Sequence, residues 1–380
     1  MDKIERYLYR HIEKVLRRGK MVFIGGPRQV GKTTLALRFL GSETGAEDPA
    51  YFNWDDPRDR PHIRNAEIPP DSDVVIFDEI HKYARWRNLI KGIYDTEGHR
   101  RRIIVTGSAR LDYYRKGGDS LANRYRYFRL HPFSLPEWEA KRGDGSMDAL
   151  LRFGGFPEPL IRGDETEHRI WQRDRLSRVV GEDLRDLERV REISLVEHLV
   201  DLLPDRVGAP LSLANLRQDL EVDHKTVARW IEILENMYLC FRIAPYGVPR
   251  IRAVKKEQKL YLWDWSRVPD AGARFENMVA SQLLKYCHLI EDTEGRRMEL
   301  RYLRDTDKRE VDFVVLCEGK PLFAVEAKAG ERSVSTAVRY FSERTPIPKF
   351  YQVHLGHRYF AKGKVTVLPF RKFCSVEKMP

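Results

Sequence analysis

Cysteine is scarce in this chain. Its four cysteines, Cys240, Cys287, Cys317 and Cys374, lie far apart and form no C-x-x-C pair. That spacing excludes a disulfide framework and a cysteine-based zinc site, and predicts reduced thiols. Long apolar runs are also lacking, and none approaches the roughly 20 residues needed to cross a bilayer. The first residues carry Asp2, Lys3, Glu5 and Arg6 with no apolar core behind them, so no secretory signal is expected. Internal repeats and low-complexity tracts are absent. These absences predict a soluble, cytoplasmic protein with no membrane partner.

The chain has 380 residues, 42% of them hydrophobic, which is too long for one ordinary core and predicts two or three domains. The balance of 68 Lys and Arg against 57 Asp and Glu gives a net charge of +11. Such a surplus favours a polyanionic partner, nucleic acid before membrane surface. A basic protein that is merely soluble is the other reading of the same charge.

Apolar residues at near-helical spacing from Ile4 to Leu16 predict a short amphipathic helix. A compact apolar strand over 21–24 then runs into Gly25 and Gly26, and a helix is expected over 32–40, stopped at Gly41. Further strands are expected at 51–54, 74–77 and 103–105. Strands alternating with helices predict an α/β domain whose parallel sheet is covered on both faces.

The segment Gly26-Pro27-Arg28-Gln29-Val30-Gly31-Lys32-Thr33, followed by Thr34, has the spacing of a P-loop. A phosphate cradle needs inward backbone N–H groups, a close approach of the chain, and a cation. Gly26 and Gly31 allow the approach, Lys32 reaches the terminal phosphates, and the Thr33 hydroxyl is a magnesium ligand. The first turn of the following helix adds its positive end. ATP with Mg2+ is the expected ligand. The apolar run 74–77 ends in Asp78 and Glu79. Asp78 is placed to orient the magnesium, and Glu79 to position or activate the attacking water. After the strand 103–105 comes Thr106-Gly107-Ser108, where a hydroxyl such as that of Ser108 either senses the γ-phosphate or simply turns the chain. Arg110 and Arg124 are candidates for an arginine finger acting on a neighbour's ATP.

These elements, with Ser120-Leu121-Ala122-Asn123-Arg124 and Leu130-His131-Pro132-Phe133-Ser134, resemble the prokaryotic AAA+-type ATPases of the MNS clade. The resemblance covers nearly the whole chain. It implies a homo-oligomer with an arginine contact in trans and a C-terminal domain related to restriction endonucleases. The family usually has Gly before the arginine, and here Asn123 stands there. Asn tolerates a left-handed backbone better than most residues.

A charged helical stretch is expected over 165–191, and three helices with an apolar strand over 194–246. Leu213, Leu216 and Leu220 mark one short helix, and Val227, Trp230, Ile231 and Leu234 mark the next, capped by Asp223. The pattern predicts a winged helix-turn-helix. His224, Lys225 and Arg229 at the front of the second helix are its DNA-contact candidates. Arg250, Arg252, Lys255, Lys256 and Lys259 are placed to grip the phosphate backbone. Winged helices also serve as protein–protein spacers.

Near the C-terminus, Glu326 and Lys328 share one face of an apolar strand, Asp312 enters another, and Glu276 opens a helix. This is the PD-(D/E)xK nuclease pattern. In it Asp312 and Glu326 bind magnesium with the Ala327 carbonyl, Lys328 positions or deprotonates the water, and Glu276 completes the shell or binds a second ion. Domains of this fold can also bind DNA without cutting it. The expected division is an ATPase domain over 1–165, a helical winged middle over 166–250 and a nuclease-like domain over 251–380.

Overall fold

A computed structural model of the chain describes residues 4–41, 44–107, 121, 123–183, 192–247 and 258–380. The chain divides into two units, Met1–His131 and Pro132–Pro380. Among the calls above, Ser108, Arg110, Arg250, Arg252, Lys255 and Lys256 lie outside the described residues. No helix among the described residues is long and apolar enough to cross a membrane.

The first unit is an α/β fold. Its strands β1 (Met21–Gly25), β2 (Tyr51–Asn53), β3 (Val74–Asp78), β4 (Arg102–Thr106) and β5 (Tyr125–Arg129) form one sheet in the order β2-β3-β4-β1-β5. Every pairing is parallel. Its helices are α1 (Tyr9–Leu16), α2 (Lys32–Leu37), α3 (Asp59–Asn65) and α4 (Trp86–Glu97). All residues of β1 and β3 are buried, as expected for parallel strands covered on both faces. One core layer packs Phe23, Phe77 and Val105 against Trp86, Ile90 and Ile93 of α4. The helix after the P-loop is shorter than its sequence pattern. Residues 38–40 continue it only as tighter i→i−3 turns, Phe39 to Ala36 and Leu40 to Leu37.

Strand order decides where the site forms. β4 lies between the P-loop strand β1 and the acid-bearing strand β3, so Thr106 sits level with both Ile24 and Asp78. The ends of three strands thus meet at one edge of the sheet.

The second unit opens with α5 (Leu135–Arg142), α6 (Ser146–Phe153), α7 (Pro157–Arg162), α8 (Glu165–Arg178) and α9 (Ile193–Leu202). Two further helices, α10 (Leu213–Leu220) and α11 (His224–Asn236), follow, joined by a tight turn through the left-handed Glu221. Asp223 caps α11 by accepting from the N–H groups of Lys225 and Thr226 at 2.8 and 3.2 Å, and the sequence-predicted stripe of Val227, Trp230, Ile231 and Leu234 is buried.

Next come β6 (Cys240–Pro245), β7 (Lys259–Leu262), the long α12 (Ala271–Glu294), β8 (Met298–Arg304), β9 (Glu310–Cys317), β10 (Lys320–Ala327), α13 (Thr336–Arg344), β11 (Phe350–His354), β12 (Phe360–Lys362), β13 (Val365–Pro369) and α14 (Phe370–Val376). The strands make one mixed sheet in the order β12-β13-β11-β10-β9-β8-β6-β7. The β6–β7 pair after the helix-turn-helix is therefore continuous with the C-terminal strands, through Ala244 opposite Arg301 and Pro245 opposite Tyr302.

Candidate functional sites

At the end of β1 the chain turns through Gly26 (φ 140°) and re-enters helix α2 through Gly31 (φ 95°). A Cβ on Gly26 would lie 2.3 Å from the Leu130 carbonyl oxygen, so only glycine lets the loop pass this close to the end of β5. Lys32 is buried and donates its ammonium hydrogens to the Gly26 and Pro27 carbonyls at 3.1 and 2.8 Å. Arg6 braces the loop by donating to the carbonyls of Val30, at 2.9 Å, and of His131.

Asp78 is the hub. Thr33 Oγ1 and Tyr51 OH donate to its Oδ2 at 2.7 and 2.8 Å, and Thr106 Oγ1 donates to its Oδ1. The Thr106 hydroxyl thus orients Asp78. Beside it, Glu79 adopts a left-handed backbone (φ 52°) and its N–H donates to the Thr106 carbonyl at 3.1 Å. Desolvation by burial, with Asp78 adding to it and Lys32 opposing it, pushes the Glu79 carboxyl up to about 7. Buried His81 lies 3.6 Å from the same carboxylate, Nε2 to Oε2. Tyr51, His81 and Arg6 were not singled out by sequence, because none belongs to a spaced motif.

The donor set fits a magnesium nucleotide. A hydroxyl already hydrogen-bonded to a carboxylate, a loop that only glycine permits, and a lysine seated on the loop carbonyls match a hard, oxygen-seeking cation with phosphate. Residues 18–139 match the model of an AAA domain. The first unit is a P-loop ATPase domain of the AAA type. After this AAA domain, residues 145–269 match a domain of unknown function, DUF8612, and residues 271–373 another, DUF4143.

Relatives that align along most of the chain include three at 20–22% identity. An uncharacterized protein of Mycobacterium tuberculosis is 22% identical, covering 94% of this chain and 82% of the relative. Another, of Methanocaldococcus jannaschii, is 22% identical over 98% of this chain and 87% of its own. A third, of Haemophilus influenzae, is 20% identical over 77% of this chain and 78% of its own. Among solved structures, RuvB of Thermotoga maritima aligns over 62% of this chain and 87% of its own at 17% identity. Its TM-score of 0.31 is too low to argue from.

Arg124 lies at the opposite end of the sheet from the P-loop. It immediately precedes β5, whose first residue pairs with Met21 and whose last pairs with Gly25. There its Nε donates to Asp95 at 2.9 Å. Asn123 before it has φ 66°, so asparagine does adopt the left-handed turn.

In the second unit, His224, Lys225 and Arg229 are exposed near the front of α11. Lys259 is not a surface cation, and its assignment to a backbone-gripping stretch is corrected. Its residue is fully buried, and its ammonium lies 2.6 Å from Glu310, 3.4 Å from Glu276 and 3.5 Å from Asp312. In ladder order β7 is three strands from β9, about 14 Å in a flat sheet, so a pronounced curl brings Lys259 to these acids. Asn277 of α12 holds β7 by accepting from Leu262 N at 2.8 Å and donating to Leu262 O at 2.7 Å.

The nuclease-pattern residues do converge. Ala327 N donates to Asp312 Oδ2 at 2.9 Å, and Lys328 Nζ lies 2.7 Å from Glu326 Oε1. Tyr261 OH donates to Glu276 Oε1 at 2.8 Å. Burial first, then Asp312, pushes Glu276 up to about 8 and Glu326 to about 7. Burial opposes the charge on Lys259, but Asp312, Glu276 and Glu310 outweigh it and hold the ammonium above its ordinary range. Among the described residues, no three His, Cys, Asp or Glu side chains are arranged to hold a metal ion. Asp312 is engaged at both oxygens, by Lys259 and by the Ala327 N–H. Buried Glu326 Oε2 has no hydrogen-bond partner. As folded, this cluster is built around a lysine and does not fit an open two-carboxylate magnesium site.

Proposed function

We propose that this protein is a magnesium-dependent ATPase whose second unit contacts DNA. The observation that carries the reading is the Thr33–Asp78 hydrogen bond at 2.7 Å, with Glu79 as the next residue on the same strand end. Thr33 and Asp78 are the residues that would hold magnesium. Magnesium supplies charge neutralisation on the phosphates. The loop over Gly26, Pro27, Arg28, Gln29, Val30 and Gly31, with Lys32, Thr33 and Thr34, holds the phosphates. Glu79 orients the attacking water and, once ionised, accepts its proton.

Arg124 is too far along β5 to serve the P-loop of its own chain, since a five-residue strand spans about 13–17 Å. That supports a role on a neighbour's nucleotide, and hence a homo-oligomer. Exposed His224, Lys225 and Arg229 on a capped helix support DNA contact through a winged helix-turn-helix, with the net charge of +11 behind it. A DNA-binding output gated by ATP is favoured over metal-dependent cleavage, because Asp312 is tied to Lys259.

The test is steady-state ATP turnover by wild type, Lys32→Ala and Glu79→Gln, with and without duplex DNA. Loss of turnover in both variants, and a change in the wild-type rate on adding DNA, support the reading. Plasmid incubated with wild type and Mg2+ or Mn2+ should stay uncut, and cutting lost in Glu326→Ala would restore the nuclease reading.

A further inference from the structure

Lys259 is a fully buried cation that faces three carboxylates from two elements. Glu276 comes from α12, and Glu310 and Asp312 come from β9, all within 3.5 Å of Nζ. The Tyr302 ring lies 5.7 Å from its ammonium, and Tyr261 is two residues along the same strand. Glu310 is shared with Arg304 at 3.6 Å, and Lys328, 2.7 Å from Glu326, also acts electrostatically on Asp312 and Glu276. Removing any acid from water is costly unless a cation meets it. Here the meeting cation is covalently part of the chain.

We propose that Lys259 is the resident cation of the C-terminal acidic site, and that a divalent ion enters this site only in exchange for the lysine ammonium. Geometry carries the claim. Asp312 offers one oxygen to the Ala327 N–H and the other to Lys259, so its second oxygen becomes available to an ion only when Lys259 leaves. With Lys259 gone, Asp312 Oδ1 and Glu276 Oε1 lose its ammonium, Glu276 Oε1 keeping the Tyr261 hydroxyl, and together with Glu326 Oε2, already unpartnered, they are the oxygens offered to a hard divalent cation.

Lys259 is also held where a movement would be felt. Its strand pairs with β6 through Ile243, while residues 207–211 pair along β7 through Val207 opposite Leu260 and Pro210 opposite Lys259. Gly208 N donates to the Leu260 carbonyl at 3.2 Å, and Leu211 N to that of Gln258 at 2.8 Å. The segment that leads into α10 therefore runs beside the strand that carries the cation. This inference stands apart from ATP hydrolysis, and either can fail without the other.

The experiment titrates Mn2+ into the full chain without nucleotide and reads free Mn2+ by electron paramagnetic resonance. Mn2+ held elsewhere is recognised because it survives Asp312→Asn, and is subtracted. Wild type should show no Asp312-dependent site tighter than about 1 mM. Lys259→Met should gain one site about tenfold tighter or better, lost again when Glu326→Gln is added. Lys259→Arg, which keeps the charge, should gain none. A tight Asp312-dependent site in wild type overturns the proposal, as does a folded Lys259→Met with no gain, the behaviour of a purely structural ion pair. If Lys259→Met does not fold, Lys259→Gln, which removes the charge and keeps a polar side chain, is titrated in its place, with a gained Asp312-dependent site in favour of the proposal and no gain against it.

Discussion

Thr33 donates its hydroxyl to Asp78 across 2.7 Å, and the Tyr51 hydroxyl reaches the same oxygen at 2.8 Å. With Thr106 on its second oxygen, Asp78 is thus held by hydroxyls from three other elements. A hydrogen bond to a charged group is worth about 1.5–3 kcal/mol, so Tyr51→Phe should raise the KM for magnesium ATP by about 10- to 150-fold while the chain stays folded. An unchanged KM would remove Tyr51 from the site.

The Glu79 carboxyl, raised by burial to about 7, sets a pH dependence. Its ionised form is the base, so kcat/KM for ATP should fall as pH drops through about 7 and level off above it. The sign for stability is opposite to that of a paired carboxylate. The folded chain keeps the proton longer than the unfolded one, so stability declines as pH rises from the ordinary glutamate range toward 7. Glu276 and Glu326 add to that decline in overlapping windows. Melting temperatures across pH 4 to 8 should show a shallower fall in Glu79→Gln than in wild type.

Buried Lys285 of α12 is ion-paired with Glu137, which also caps α5 by accepting from Ser134 N at 3.1 Å. Removing one partner of a buried pair costs about 3–5 kcal/mol, because the other is left unmatched. Lys285→Met should therefore lower stability in urea by about that amount, and Lys285→Met with Glu137→Gln should recover part of it. A double-variant loss equal to the sum of the losses in Lys285→Met and Glu137→Gln would show that the pair is not coupled.

Lys225 and Arg229 are exposed one helical turn apart on α11. If each meets a phosphate, alanine at either position lowers the log–log salt slope of duplex binding by about 0.9. A weaker affinity with an unchanged slope would assign them another role.

The nucleotide site was legible because its chemistry is local. Eight consecutive residues fix the loop, and an apolar run ending in Asp78 and Glu79 announces the strand that faces it. Helices α10 and α11 were legible for the same reason, through Asp223 and the buried stripe on α11. β5 was not read, because arginines interrupt Tyr125-Arg126-Tyr127-Phe128-Arg129 and it sits at the sheet edge. Lys259 was misread because it closes a basic stretch. The signal that it differs is the apolar Leu260-Tyr261-Leu262 directly after it, a strand entering the core. The convergence of Lys259 with Asp312 depends on a curl of the sheet across three strand spacings, which no short window of sequence encodes.

The most direct test is ATP turnover by Glu79→Gln set beside nucleotide binding by the same variant. The account predicts wild-type ATP affinity with hydrolysis slowed by about 10²–10⁴-fold, and loss of turnover in Lys32→Ala. Wild-type turnover in both variants would contradict it.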